Sequence, residues 1–248
     1  MYMKEKILES LKLLSQERPI FHSEDDFKFA FSNTLQKIVG KGCEIRLERP
    51  VDIEMVCRNG VTKLVKAPID IVLLYKNSMY PIELKYKTKA LELETENDKY
   101  ILAEHGARDK GRFSFRKDIY RLEYVVHDNK KYKEVQGFFI VITNDEAYTK
   151  KASSLTLDKN YSFHNGATLQ KKDLGWNEKK LEALGLVEKE DKKFYKIDTD
   201  AVHETSRGES FYQLDLKNEY TIKWEEYSEV GANKKNSKFY FSVSEVNN

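Results

Sequence analysis

The feature that most constrains this chain is a pair of apolar runs, residues 67–75 and 79–86, separated by Lys76-Asn77-Ser78. The first run is nearly continuous, as a strand covered on both faces would be. Lys76-Asn77-Ser78 turns the chain back, so the two runs are expected to form a hairpin. Three charges interrupt them: Asp70 within Pro68-Ile-Asp-Ile-Val-Leu-Leu, and Glu83 and Lys85 within Pro81-Ile-Glu-Leu-Lys-Tyr. A bare charge among apolar neighbours is costly unless it is paired, hydrogen-bonded or metal-bound. Alternation along a strand puts Glu83 and Lys85 on one face and Ile82 and Leu84 on the other. The hairpin brings Asp70 within reach of that polar face.

Two carboxylates and an ammonium converging on an apolar sheet suit phosphodiester hydrolysis. Carboxylate oxygens are hard ligands for Mg²⁺ or Mn²⁺, and one or two such side chains with waters suffice. A metal held there polarises the phosphoryl oxygen and acidifies a water. Lys85 could orient or deprotonate that water, or neutralise charge on the phosphate. In a chain that is 34% charged, Asp followed at a distance by Glu-x-Lys carries little as a bare pattern. Its placement on two apolar strands joined by a turn is what gives it weight.

Around the hairpin, residues 3–15 place Ile7, Leu8, Leu11 and Leu14 at helical spacing. A second helix is expected over 23–38, with Ser23 as N-cap, Phe27, Ala30, Phe31, Leu35 and Ile38 as its apolar face, and Gly40 and Gly42 at its end. Residues 43–48 and 51–56 alternate as two short strands before an Asn59-Gly60 turn. Residues 91–109 are charged and read as helix or loop. A helix follows over 114–127, and residues 135–143 are the most strand-like run in the chain. The last hundred residues carry short β-like pieces at 194–197, 211–216, 220–224 and 239–243. The stretch from Lys180 to Ile197 is similar to the last helix and wing of a winged-helix module whose earlier helices are missing. Ser206-Arg-Gly-Glu-Ser reads as a loop without phosphate-cradle spacing. The division expected is residues 1–149 as a core and 150–248 as a β-rich extension packed on it.

Composition narrows the partners only slightly. The 43 basic and 41 acidic residues leave a net charge of +2, so any nucleic-acid footprint must be a local patch. Cys43 and Cys57 lack metal-type spacing and fit a reducing compartment. No run approaches the length of a bilayer span, and the chain reads as soluble and cytoplasmic.

Pro68-Ile-Asp70 followed by Glu83-Leu-Lys85 resembles the PD-(D/E)xK, or restriction-endonuclease-like, nuclease superfamily, and the element order resembles its αβββαβ core over residues 20–145. More narrowly, the chain is similar to uncharacterised bacterial proteins of that class. The likeness is carried by Ser23-Glu-Asp-Asp-Phe, Ile-Glu-Leu-Lys-Tyr, the segment from Ala107 to Glu123, a strand ending in Thr-Asn-Asp, and Tyr220-Thr-Ile-Lys-Trp. The resemblance implies an α/β fold with a mixed central sheet and a Mg²⁺- or Mn²⁺-dependent nuclease but brings no known substrate; the substrate expected is double-stranded DNA, with RNA left open. It implies Asp70, Glu83 and the Leu84 carbonyl as metal ligands, Lys85 as the catalytic lysine, and Glu24 as an additional acidic residue. An acidic residue in a first helical turn is also favoured simply by the helix dipole. Arg112, Arg116 and Lys87 are the cations assigned to phosphate contact. The alternative for the two arginines is a solvated face paired with Asp109, Asp118 and Glu123, and Asp118 with Arg121 reads as a structural pair. The resemblance allows a homodimer and a setting in prokaryotic genome defence, mobile-element biology or repair. The rival readings are a structure-specific nickase or junction resolvase, and a binding protein that keeps the fold without the chemistry.

Overall fold

In the computed structural model the described residues are 2–57, 60–127, 130–177, 179–180, 213–231 and 234–248. Two helices come first. In α1 (Met3–Glu17), Met3, Ile7, Leu11 and Leu14 are buried at spacings of three and four. In α2 (Glu24–Val39), Ser23 Oγ accepts the Asp26 N–H at 3.1 Å, the cap the sequence predicts, and Gly40 closes the helix at a φ of 87°.

Three long antiparallel strands follow: β1 (Glu44–Val56), β2 (Thr62–Tyr75) and β3 (Ser78–Lys87). The two short strands expected over 43–56 are one strand. They are joined through Glu48, whose φ of 49° is rare for a side-chain-bearing residue. The β2–β3 turn is a two-residue loop, Lys76 and Asn77 both at positive φ between the paired Tyr75 and Ser78, which matches the twist of the strands.

Residues 91–102, expected as helix or loop, are instead a hairpin of β4 (Leu91–Glu94) and β5 (Lys99–Leu102). The charges there alternate with buried Leu91 and Leu93, so the period is two and the glutamates take the exposed face. Helix α3 (Arg108–Glu123) begins six residues earlier than predicted and ends sooner. Gly111 lies within its first turn, where a Cβ would lie 2.2 Å from the Tyr148 hydroxyl, so its absence lets that ring pack against the helix. Beyond α3 come β6 (Val125–Val126), β7 (Glu134–Thr143), β8 (Thr168–Leu169), β9 (Tyr220–Thr221), β10 (Trp224–Glu229) and β11 (Lys238–Asn247).

The fold is α/β, with a seven-stranded mixed sheet ordered β10-β11-β7-β3-β2-β1-β6. Among the described strands only β3 and β7 run parallel, and α3 lies in the connection between them, as a parallel crossover needs. One face carries α1 and α2 over Ile71, Leu73, Ile82, Leu84, Phe138 and Ile140. The other carries α3 over Val72, Phe139 and Val141. The region expected as an extension packed on the core contributes β10 and β11 to this sheet. Within it, the described residues 213–216 form no strand, although Leu214 and Leu216 are buried. Asn59, the expected strand at 194–197, the wing-like stretch beyond Lys180 and the 206–210 loop lie outside the described residues. No helix among the described residues is long and apolar enough to cross a membrane.

Gly137 on β7 sits where α3 and β11 meet: a Cβ there would lie 2.9 Å from Leu122 Cβ and 3.3 Å from Val246 Cβ. Gly137→Ala is therefore expected to destabilise the fold by about 1–3 kcal/mol through overpacking. Urea denaturation should show a lower midpoint with an unchanged slope.

Candidate functional site

The β2–β3 ladder runs from Tyr75↔Ser78 to Ile71↔Ile82 and stops. Beyond that step β2 continues paired to β1, and β3 continues paired to β7. The two central strands therefore diverge where Asp70 and Glu83 stand. Backbone groups of β3 that would have met β2 are left facing the opening, and buried amides must find partners. Side chains supply them. Asp70 Oδ2 accepts the Leu84 N–H at 2.8 Å, Glu24 Oε2 accepts the Tyr86 N–H at 2.8 Å, and Lys85 Nζ donates to the Leu84 carbonyl at 2.9 Å. Glu24 thus does more than sit in a favourable helix dipole: it anchors the start of α2 on the open strand.

Alternation places the charges as the sequence predicts. Ile82, Leu84 and Tyr86 enter the core beneath α1 and α2, while Glu83 and Lys85 meet α3. There Asp118 Oδ2 lies 3.1 Å from Lys85 Nζ, and Arg121 Nη1 lies 3.0 Å from Glu83 Oε1 and 3.7 Å from Asp118 Oδ1. Arg121 also donates to the Pro68 carbonyl. Asp118 and Arg121 are therefore a pair, as expected, but one wired into the carboxylate–lysine group. Lys85 Nζ is also 3.7 Å from Glu24 Oε1. From α2, Lys28 Nζ reaches Asp70 Oδ1 at 3.3 Å.

The titration behaviour follows from burial and these neighbours. Glu83 is 2% exposed; burial pushes its carboxyl well above the usual range, Arg121 offsets part of this, and Asp118 and Asp70 add to it. For Asp70 burial also opposes the charge, but Lys85, the Leu84 N–H, Glu83 and Lys28 together outweigh it and hold the carboxyl low. Burial disfavours the Lys85 ammonium as well, yet Asp118, Glu24, Glu83 and Asp70 reverse that and keep it protonated above the ordinary lysine range. The surrounding carboxyl groups thus favour the charged form of Lys85.

Among the described residues, no three His, Cys, Asp or Glu side chains converge as a ready ligand set. The donor chemistry nonetheless fits a hard divalent cation. Glu83 Oε1 is buried, facing Arg121 at ion-pair distance without a hydrogen bond, Asp70 is held toward its carboxylate form, and the Leu84 carbonyl is held by an ammonium that a cation could replace. Asp118 Oδ2 is a second buried oxygen with no hydrogen bond, facing Lys85 at ion-pair distance.

The cations assigned to phosphate contact stand differently. Arg112 is buried, donating to Asp158 and to the Ala147 carbonyl at 2.6 Å and lying over the Tyr148 ring. Arg116 is buried too, donating to the carbonyls of Leu214 and Lys171, each at 2.9 Å. Both brace α3 against the chain after β7, and neither is placed to meet a phosphate. The sequence gives no sign of this, because their partners, the Asp158 carboxylate and three backbone carbonyls, lie far along the chain. Lys87, half-buried at the end of β3, borders a cleft of about 370 Å³ with His105, Lys110 and Trp176. Lys28 was missed. Its signal was its place one turn after Glu24 on α2, which puts both side chains on one helix face.

No family model matches this chain, and neither a curated protein nor a solved structure matches it.

Because Arg116 satisfies two carbonyls inside the fold, Arg116→Met should cost about 2–4 kcal/mol of stability. Chemical denaturation measures the loss. The salt dependence of any nucleic-acid binding should stay as in the wild type, since no phosphate contact is removed.

Proposed function

We propose that the protein is a divalent-metal-dependent nuclease of restriction-endonuclease-like architecture that hydrolyses phosphodiester bonds in DNA. The observation that carries this reading is the parting of β2 and β3, which gathers Asp70, Glu83 and the Leu84 carbonyl beside the buried Lys85 ammonium. Apart from the inserted β4–β5 hairpin and the short β6, the order α2-β1-β2-β3-α3-β7 is similar to the αβββαβ core and supports the same reading.

Asp70, Glu83 and the Leu84 carbonyl would hold Mg²⁺ or Mn²⁺, with Glu24 close by at Lys85. When bound, that ion supplies Lewis-acid polarisation of the phosphoryl oxygen and a more acidic water. The chain's own residues do the rest. Lys85, held charged by four carboxyl groups, places a positive charge where the phosphate accumulates negative charge. Asp118 and Glu24 fix the direction of that ammonium, at 3.1 Å and 3.7 Å. Arg121 orients Glu83 and draws its carboxyl toward the ionised form that a cation requires.

Purified protein with Mn²⁺ is expected to cut at least one of a panel of linear, nicked and branched DNA. Lys85→Ala and Asp70→Asn should each reduce the rate by about 100-fold or more while leaving a folded circular-dichroism spectrum. Preference for nicked or branched substrates would assign a structure-specific enzyme, and cutting of RNA alone would move the substrate class. Equal cleavage by wild type and Lys85→Ala, or no cleavage of any nucleic acid, would sink the reading.

A further inference from the structure

Lys28 is held between two kinds of carboxylate. Its Nζ lies 3.3 Å from Oδ1 of Asp70, whose side chain is 14% exposed at the open edge. The same ammonium lies 3.0 Å from Oδ1 of Asp25, 87% exposed, and is hydrogen-bonded to Glu48, 53% exposed. The inner partner belongs to the site and the outer two face solvent. Asp70 divides its oxygens in the same way, with Oδ2 accepting the Leu84 N–H and Oδ1 turned to Lys28.

Glu48 is placed for this contact by the backbone. The β1–β2 register passes from Leu47↔Ile71 to Arg49↔Ile69, so Glu48 and Asp70 share one step of the sheet. At that step Glu48 takes a φ of 49°, a conformation that L residues other than Asn, Asp and His seldom adopt. The unusual backbone of β1 and the parting of β2 from β3 thus meet at the same step, with Lys28 between them.

We propose that Lys28 is a counter-ion latch: its ammonium, shared among Asp70, Glu48 and Asp25 while no divalent cation is bound, withdraws from Asp70 and stays with Glu48 and Asp25 alone when one binds. This rests on the metal-dependent reading above. A divalent ion on Asp70 and the Lys28 ammonium are like charges competing for one carboxylate, and the closer Lys28 stays, the weaker the ion is held. Glu48 and Asp25 give the ammonium somewhere to go that keeps it paired. Lys28 is a positioning residue here, acting on the metal through Asp70. Its own titration plays no part, since its carboxylate partners hold it protonated well above the ordinary lysine range.

The test is Mn²⁺ binding to the full chain by calorimetry, with no nucleic acid present. Lys28→Met should tighten Mn²⁺ binding by about tenfold, because the competing charge is gone. Glu48→Gln should weaken it about threefold, because the ammonium keeps only Asp25 of its two outer partners and leans more on Asp70. The double variant should bind like Lys28→Met, since Glu48 acts only through Lys28. The metal-free Lys28→Met protein should also melt lower than the wild type and regain that loss on adding Mn²⁺. A purely structural lysine would give the melting loss without the tighter binding. Unchanged or weaker Mn²⁺ binding by Lys28→Met overturns the latch and leaves the nuclease reading standing. A double variant that binds more weakly than Lys28→Met overturns it too, by making Glu48 a ligand in its own right. Should Lys28→Met fail to fold, unchanged affinity in Glu48→Gln decides against the latch. Wild-type protein that binds no Mn²⁺ removes both proposals.

Discussion

The divergence of β2 from β3 is the constraint on which the rest of this molecule depends. A central sheet that parts in its interior exposes backbone amides and carbonyls to a largely buried space, and each one left unpaired costs on the order of 1–3 kcal/mol. Asp70, Glu24 and Lys85 take the places of the missing strand, each by a direct hydrogen bond to β3. The charges then need one another, because an isolated buried carboxylate or ammonium is not tolerated. Arg121, Asp118 and Lys28 complete the balance from the two flanking helices. The opening, the buried charges and the packing of α2 and α3 onto the sheet are therefore one structural solution.

Helix α3 has two separate tasks. Asp118 and Arg121 face the sheet opening, whereas Arg112, Arg116 and Glu123 bind the chain that follows β7. Glu123 accepts the Lys217 N–H at 2.7 Å, the Asn218 N–H at 2.9 Å and the Tyr220 hydroxyl at 2.6 Å. That stitching leads the chain toward β10 and β11, which complete the sheet beside β7. The basic character of this helix is thus largely internal. With a net charge of +2 for the whole chain, a basic segment cannot be equated with a phosphate-binding face.

Much of the fold was legible. The 3.6-residue period marked α1 and α2, the Ser23 cap marked where α2 begins, and the apolar runs marked β2, β3 and β7. The misreadings have identifiable physical causes. Residues 91–102 look like a charged helix or loop because five of the twelve are glutamate, lysine or aspartate, and two-residue alternation with Leu91 and Leu93 is what betrays the hairpin. The start of α3 was expected at Ser114, but the helix begins at Arg108, and Gly111 in its first turn admits the close approach of Tyr148. The union of β11 with β7 could not be read, because the partners are about a hundred residues apart and strand pairing leaves no local signature.

The sequence by itself determined that Asp70, Glu83 and Lys85 would lie on two apolar strands joined by a turn, and that Glu83 and Lys85 would share a face. Those conclusions need only the two-residue period of a strand and the cost of burying charge, both local rules. Tertiary structure alone decided that the strands part at those residues, that Lys28, Asp118 and Arg121 join them, and that Arg112 and Arg116 are brace residues. Each of these depends on which side chain from a distant element arrives at the opening, and charge compensation across such distances is settled by packing and not by sequence order.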